Sequence, residues 1–275
     1  MTLIRVINYT LLSDQIGEYD HYAKINGIQE ILTKDVFDLN RQLGYITTKP
    51  GQTQIGATLR KFPRFSRSHM NEIKNYLAYQ GEQYRNPDKA GDEKDKMLSL
   101  RKKGQEARKG FTYLAECFQT KHSDWNLHPT SHWMNQAQRL RPHFWAYLQR
   151  EGQITEPMMA LRLYGSQNNW GISLEVSFIE RKKDEATLSK QAKVLDVPVV
   201  EGIYYWVQKN DESYRVQATE ENRQLLRRQL SNQEIRKVLI KADVSVTDEE
   251  SMDKVLEGLD RAFETLLPYY LATRN

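Results

Sequence analysis

The amino-acid sequence predicts an α+β protein, with a curved antiparallel sheet, helices packed on one face of that sheet and a mostly helical N-terminal half. Two observations lead to this prediction. Apolar residues recur at intervals of three and four before residue 121 and after residue 246, as they do in amphipathic helices. Between these regions, runs of aromatic and β-branched residues are joined by links short enough for hairpins, which pair antiparallel strands.

Length and composition bound the organisation of the chain. With 275 residues, 39% of them hydrophobic, it can bury a substantial core. We expect a loop and helical region at 1–121 and an antiparallel sheet with C-terminal helices at 122–275, sharing one core. The formal net charge is +4, from 40 basic and 36 acidic residues, which is far from the charge of a dedicated nucleic-acid coat and selects no partner.

The compartment is predicted from the single cysteine, Cys117. One cysteine cannot form an intramolecular disulfide, which is typical of a reducing compartment, so we expect a cytoplasmic protein. No apolar run approaches the roughly 20 residues that span a bilayer, and the opening residues lack the apolar stretch of a signal peptide. We therefore expect no membrane partner.

The first part of the chain is predicted to change from loops to helices. Residues 1–65 mix short apolar segments with turn residues and predict loops with short elements. Met70, Ile73 and Leu77 then recur at helical spacing, and a long helix with a buried apolar stripe is predicted at 95–120.

The rest of the chain is predicted to alternate strands with helices. Strands are predicted at 139–149, 158–164, 170–179, 202–208, 214–218 and 238–242. A meander is the simplest topology for them. Helices are predicted at 184–195 and 220–230, and a last helix is predicted to pack on the sheet. Thr247 and Glu250 have capping-box spacing at its start, before an apolar stripe that runs to Leu266.

The most informative segment is 139–149. In a strand, alternation places its arginines and its histidine on one face and most of its apolar residues on the other. Pro142 cannot donate to a strand ladder, so the strand either lies at an edge or starts after the proline, and a helix beginning there is the competing interpretation. The same test on 170–179 separates an apolar set from a polar set. The candidate ligand-binding residues on this surface are Arg139, Arg141, His143, Tyr147, Arg162 and Glu175.

Two interpretations of this surface stay open. Arginines contact phosphates and aromatic rings stack on bases, so the surface can be read as a site for a nucleic acid or another anionic ligand. Alternatively, its side chains form ordinary cross-strand pairs, with Glu175 neutralising an arginine. Tyr164, and either Tyr204 with Trp206 or Tyr205 alone, would extend the surface from neighbouring strands.

Other chemistries receive little support from motifs. The basic rows at 101–103 and 108–109 are typical of a solvated helix face or, alternatively, of a phosphate-binding one. One group has acceptable metal-ligand types but no recognised zinc spacing, and we predict no metal site: His122, Asp124, His128 and His132. The sequence has no P-loop, no G-x-G-x-x-G turn between a strand and a helix and no G-x-S-x-G elbow, so catalytic residues are unknown.

Several stretches resemble a small bacterial family of uncharacterised proteins. They are LTKD at 32–35, DLNR at 38–41, RLRPHFWAY at 139–147 and SLEV at 173–176. Members of that family have been labelled glucose-6-phosphate 1-dehydrogenase, and the resemblance covers most of the chain from residue 32 onward. The label implies NADP-dependent hydride transfer but brings no established catalytic residues. True glucose-6-phosphate dehydrogenases differ from this sequence in length and in their dinucleotide fingerprint.

Three functional hypotheses result. The first is a binding module that takes a nucleic acid or another anionic ligand on the sheet surface. The second is the dehydrogenase that the resemblance implies, with NADP as its cofactor; otherwise no cofactor is expected. The third is a structural or interaction protein that forms a homo-oligomer.

Overall fold

The fold was analysed in a computed structural model, which describes residues 67–248 and 250–274. The chain divides into a unit of residues 1–63 and a unit of residues 64–275, and all of the described residues belong to the second. The loops and short elements predicted at 1–65 lie outside the described residues.

The described residues form an α+β unit, as the sequence predicts. Its helices are α1 (Arg67–Tyr76), α2 (Lys94–Lys121), α3 (Glu185–Ala192), α4 (Glu220–Ser231) and α5 (Met252–Ala272). Its strands are β1 (Asn126–Leu127), β2 (Trp145–Gln149), β3 (Met158–Ser166), β4 (Asn169–Ser177), β5 (Ile203–Lys209), β6 (Glu212–Gln217) and β7 (Lys237–Val246). Over the stretches 67–248 and 250–274, no helix is both long and apolar enough to cross a membrane.

The seven strands form one antiparallel sheet in the order β1-β2-β3-β4-β7-β5-β6. The first four strands follow each other as a meander, but β7 lies between β4 and β5, so the predicted meander is wrong beyond β4. Burial explains why β7, and not β5, pairs with β4. Five consecutive residues of β7 are buried, which suits an interior strand, whereas β6 is exposed along most of its length and is stable at an edge.

Helices cover one face of the sheet and form a continuous core with it. Leu259 and Leu266 of α5 are fully buried in the same core as Leu174 of β4, and α5 contacts both β4 and β7. From α2, the ring of Phe111 lies 5.9 Å from that of Phe144, just before β2. Leu174 and Phe144 belong to the apolar sets that alternation separates from the polar residues of their segments.

Two predicted boundaries differ from the structure. The strand predicted at 139–149 begins only at Trp145, because Pro142 cannot donate to a ladder; Arg139 instead forms an isolated bridge with Gln83. The last helix is capped by Ser251, whose Oγ accepts the backbone N–H of Lys254 at 3.3 Å, four residues beyond the predicted cap.

Candidate functional site

The candidate site lies on the sheet face opposite the helices, which we call the polar face. The strand register places side chains of five strands side by side on it. One such row runs from Tyr147 through Ala160 and Glu175 to Lys241 and Tyr204, across β2, β3, β4, β7 and β5. The polar face therefore combines residues that lie up to about one third of the chain apart.

A buried ion cluster occupies the middle of the polar face. Glu175 is fully buried, and its Oε1 accepts hydrogen bonds from Nε and Nη2 of Arg162 at 3.0 and 2.8 Å. Ser177 Oγ donates to the same oxygen at 2.9 Å. The other oxygen, Oε2, lies 2.6 Å from Nζ of Lys241. Two cations thus share one buried carboxylate.

The protonation states in this cluster follow from the ion pairs. Burial alone would raise the pKa of Glu175, but Arg162 and Lys241 outweigh burial and hold that pKa well below its usual value. Burial likewise favours the neutral form of Arg162, while Glu175 outweighs it and raises the pKa of the guanidinium. Glu175 and Arg162 are therefore charged at neutral pH, and by formal charge the cluster of Arg162, Lys241 and Glu175 carries one surplus positive charge.

A second polar group stands beside the first, around Asp243 of β7. Its Oδ1 accepts the hydroxyl hydrogen of Tyr204 at 2.8 Å, and its Oδ2 lies 3.1 Å from Nη1 of Arg215. The guanidinium carbon of Arg215 also lies 3.7 Å from the centroid of the Tyr204 ring. Burial, and then Asp243, raises the pKa of Tyr204, so its hydroxyl stays a donor. Asp243 therefore fixes an exposed arginine against an aromatic ring.

A cavity of about 580 Å³ opens between these groups. Four basic side chains line it: Arg162, Arg215, Lys237 and Lys241. The carboxylates in its lining are Asp243 and Glu180, and Glu180 pairs with Lys237. His143 also lines the cavity, where burial and then Arg162 lower its pKa to about 4, so it is neutral at pH 7.

Trp145 lies at the β2 end of the polar face and contacts two arginines. The guanidinium carbons of Arg141 and Arg162 lie 4.7 and 5.3 Å from the centroid of its ring. The ring of His143 lies 5.5 Å away. Because Arg162 also lines the cavity, it connects this aromatic group to the ion cluster.

Five of the six predicted site residues meet on or beside the polar face. Arg139 does not: it is exposed, and its Nη1 donates to the carbonyl of Gly81 at 3.2 Å. Tyr147 is buried, and its hydroxyl donates to the carbonyl of Phe178 at 3.0 Å. Of the two alternatives for β5, the structure selects Tyr204 with Trp206 for this face.

Three charged members of the site were not predicted from the sequence: Lys237, Lys241 and Asp243, all in β7. A signal was present, since alternation along the predicted strand 238–242 already places Lys241 on the face opposite Val238 and Ile240. Arg215 of β6 was missed as well, although alternation along the predicted strand 214–218 places it on the face opposite Tyr214, Val216 and Ala218.

The other candidate groups are held by separate partners. The ring nitrogens of His122 and His128 lie near Asp260 and Gln149, and within the described parts of the chain no group of three or more His, Cys, Asp or Glu residues could hold a metal ion. In the basic rows of α2, Lys103 donates to the hydroxyl of Tyr79 at 2.9 Å, and Arg108 donates to two backbone carbonyls.

Comparison with known proteins gives no family. No protein-family model matches the chain, and no curated protein matches it. The resemblance to proteins labelled glucose-6-phosphate 1-dehydrogenase therefore stays a prediction from the sequence.

Proposed function

We propose that the chain is a binding protein that takes an anionic ligand in the cavity of the polar face. The observation that carries the proposal is the surplus positive charge of the buried cluster, in which Arg162 and Lys241 share the single carboxylate of Glu175. A surplus charge in a partly buried place is costly unless an opposite charge approaches it. An anion in the cavity would supply that charge.

The remaining donors are placed for such a ligand. Arg162 uses Nε and Nη2 on Glu175, and its guanidinium also interacts with the hydroxyl of Tyr147. Lys241 has three donors, and its ammonium group forms an ion pair with Oε2 of Glu175 at 2.6 Å. Arg215, with a side chain that is 60% exposed, brings a further guanidinium to the lining. Guanidinium groups bind carboxylates and phosphates with two parallel hydrogen bonds.

The size of the cavity favours a small molecule or a short segment of a polymer. Ligand pockets typically measure about 300–1,000 Å³, and the volume of about 580 Å³ falls within that range. Tyr164, Tyr204 and Trp206 contribute aromatic surface to the lining, which suits a ligand with a planar apolar part. Nucleotides combine both properties, so they are the first ligands to test.

The test is calorimetric titration of the full chain with inorganic phosphate, ATP, NADP and a dT12 oligonucleotide. We expect at least one of these anions to bind, with an affinity that falls as the salt concentration rises. Arg215→Gln should weaken binding about tenfold or more, because a charge-assisted hydrogen bond contributes about 1.5–3 kcal/mol. Arg139→Gln is the matched control, since Arg139 lies outside the cavity, and it should leave binding within a factor of two.

Equal effects of the two substitutions would contradict the proposed location. Failure of all four anions to bind would contradict the proposed function. Reduction of NADP with glucose 6-phosphate as substrate would instead support the dehydrogenase that the sequence resemblance implies.

A further inference from the structure

Arg141 lies at the β2 end of the polar face without an acidic partner. Its Nε donates to the carbonyl of Met134 at 3.2 Å, and its guanidinium carbon lies 4.7 Å from the centroid of Trp145. It forms no ion pair with a carboxylate of residues 67–248 or 250–274. A half-buried guanidinium that donates to a neutral carbonyl and pairs with no carboxylate of these segments retains capacity for an anion.

The surroundings of Arg141 are positive. Arg162 lies against the same indole ring, at 5.3 Å from its centroid. Arg181, which is exposed, is close enough to lower the pKa of Arg141, in addition to the larger effect of burial and against the opposing effect of Tyr76. His143 contributes no charge at neutral pH, because its pKa is about 4. Two guanidinium groups, those of Arg141 and Arg162, therefore lie against Trp145, and the charge of Arg181 adds to the positive field at Arg141.

This positive region is continuous with the cavity. Arg162 belongs to both, since it lines the cavity and also contacts the Trp145 ring. Pro142 and His143, which follow Arg141 directly, line the cavity too. An anionic group bound at Arg141 would thus be a close neighbour of one bound at Arg162 and Lys241.

We propose that the polar-face ligand carries at least two linked phosphate groups, one bound in the cavity by Arg162 and Lys241 and the next bound by Arg141 beside Trp145. This inference rests on the proposed function, because it requires an anion in the cavity. A single small anion neutralises the surplus charge of the ion cluster but leaves Arg141 uncompensated. A chain of phosphates reaches both positions at once.

The test compares inorganic phosphate, tripolyphosphate and ATP by calorimetric titration of the full chain. We expect tripolyphosphate to bind at least about tenfold tighter than phosphate, because its second group gains the contact with Arg141. Arg141→Gln should reduce tripolyphosphate affinity about tenfold while phosphate affinity stays within a factor of two. Arg139→Gln, a substitution of the same kind two residues away, should change neither.

Arg181→Gln provides a second variant on an exposed side chain, in case Arg141→Gln does not fold. It should weaken tripolyphosphate about two- to threefold, in line with a charge that acts without direct contact. Tighter binding of ATP or of a dT12 oligonucleotide than of tripolyphosphate would support the inference and identify the source of the linked phosphates.

The outcomes separate the inference from the function on which it rests. Equal affinities for phosphate and tripolyphosphate, or no effect of Arg141→Gln and Arg181→Gln on tripolyphosphate, would overturn the second phosphate position and leave a single-anion site. Failure of phosphate, tripolyphosphate, ATP, NADP and dT12 alike to bind would overturn both proposals.

Discussion

Replacing Glu175 by glutamine tests whether a buried carboxylate balances Arg162 and Lys241 in the ion cluster. The substitution keeps the shape of the side chain and removes its charge, which leaves Arg162 and Lys241 partly buried without a counter-ion. Removing one member of a buried ion pair costs about 3–5 kcal/mol. For a folded unit of this size, that loss lowers the melting temperature by on the order of 10 °C.

The pH dependence of the loss gives a second readout. In the folded state the pKa of Glu175 lies below its ordinary value of 4.5, so its contribution is fully present above pH 4.5 and is lost as the pH falls through the depressed value. The difference in unfolding free energy between the wild type and Glu175→Gln should therefore be the same at pH 7 and at about pH 5.5, and it should shrink below pH 4.5.

The assay is urea unfolding followed by circular dichroism, with two further variants. Glu212→Gln makes the same chemical change at an exposed position on edge strand β6 and should cost no more than about 0.5 kcal/mol. Glu175→Gln combined with Lys241→Met should be more stable than Glu175→Gln alone, because the unpaired ammonium is gone. A loss below about 1 kcal/mol for Glu175→Gln, or a double variant less stable than that single one, would refute the reasoning.

Two further predictions concern the rim of the cavity and the last helix. His143 is held neutral in the folded state down to about pH 4, whereas the unfolded chain protonates it near pH 6.5. Between these values the unfolded state binds more protons, so the free energy of unfolding decreases as the pH is lowered, by up to about 3 kcal/mol at pH 4. His143→Gln should remove that part of the acid sensitivity in unfolding titrations. Ser251→Ala should cost about 1 kcal/mol in the same assay because it removes the cap of α5, while Thr247→Ala should change stability by less than about 0.5 kcal/mol. A larger loss for Thr247→Ala than for Ser251→Ala would place the cap at Thr247.

Local periodicity was sufficient to predict most elements and much of the polar face. Alternation along 170–179 separates Leu174 from Glu175, and the structure places the first in the core and the second on the polar face. The short link at 165–169 predicted the hairpin of β3 and β4, which pairs Ala160 with Glu175 and brings Arg162 within reach of that carboxylate. The face of each residue and the hairpin were both predicted correctly because both depend only on residues that are close in the sequence.

The position of β7 was beyond such reasoning. Lys241 of β7 pairs with Glu175 of β4, which lies 66 residues earlier in the chain. Alternation shows which face a side chain occupies, but it does not show which strand lies beside it. Arg139, in contrast, was predicted as a site residue but lies outside the site. Its spacing fits the alternation of the strand that follows, yet Pro142 ends the ladder before it, and the side chain turns to the Gly81 carbonyl instead.

The central place of β7 also sets the order in which the site can be assembled. The β3–β4 hairpin carries Arg162 and Glu175, and the β5–β6 hairpin carries Tyr204 and Arg215, so each half can form from local contacts. Among the described strands, no pairing joins the two hairpins directly; β7, which follows both in the chain, pairs with β4 on one side and with β5 on the other. A chain cut short before residue 237 would lack the partner of β4 and leave that strand, with Glu175, as an unpaired edge, which is a template for aggregation.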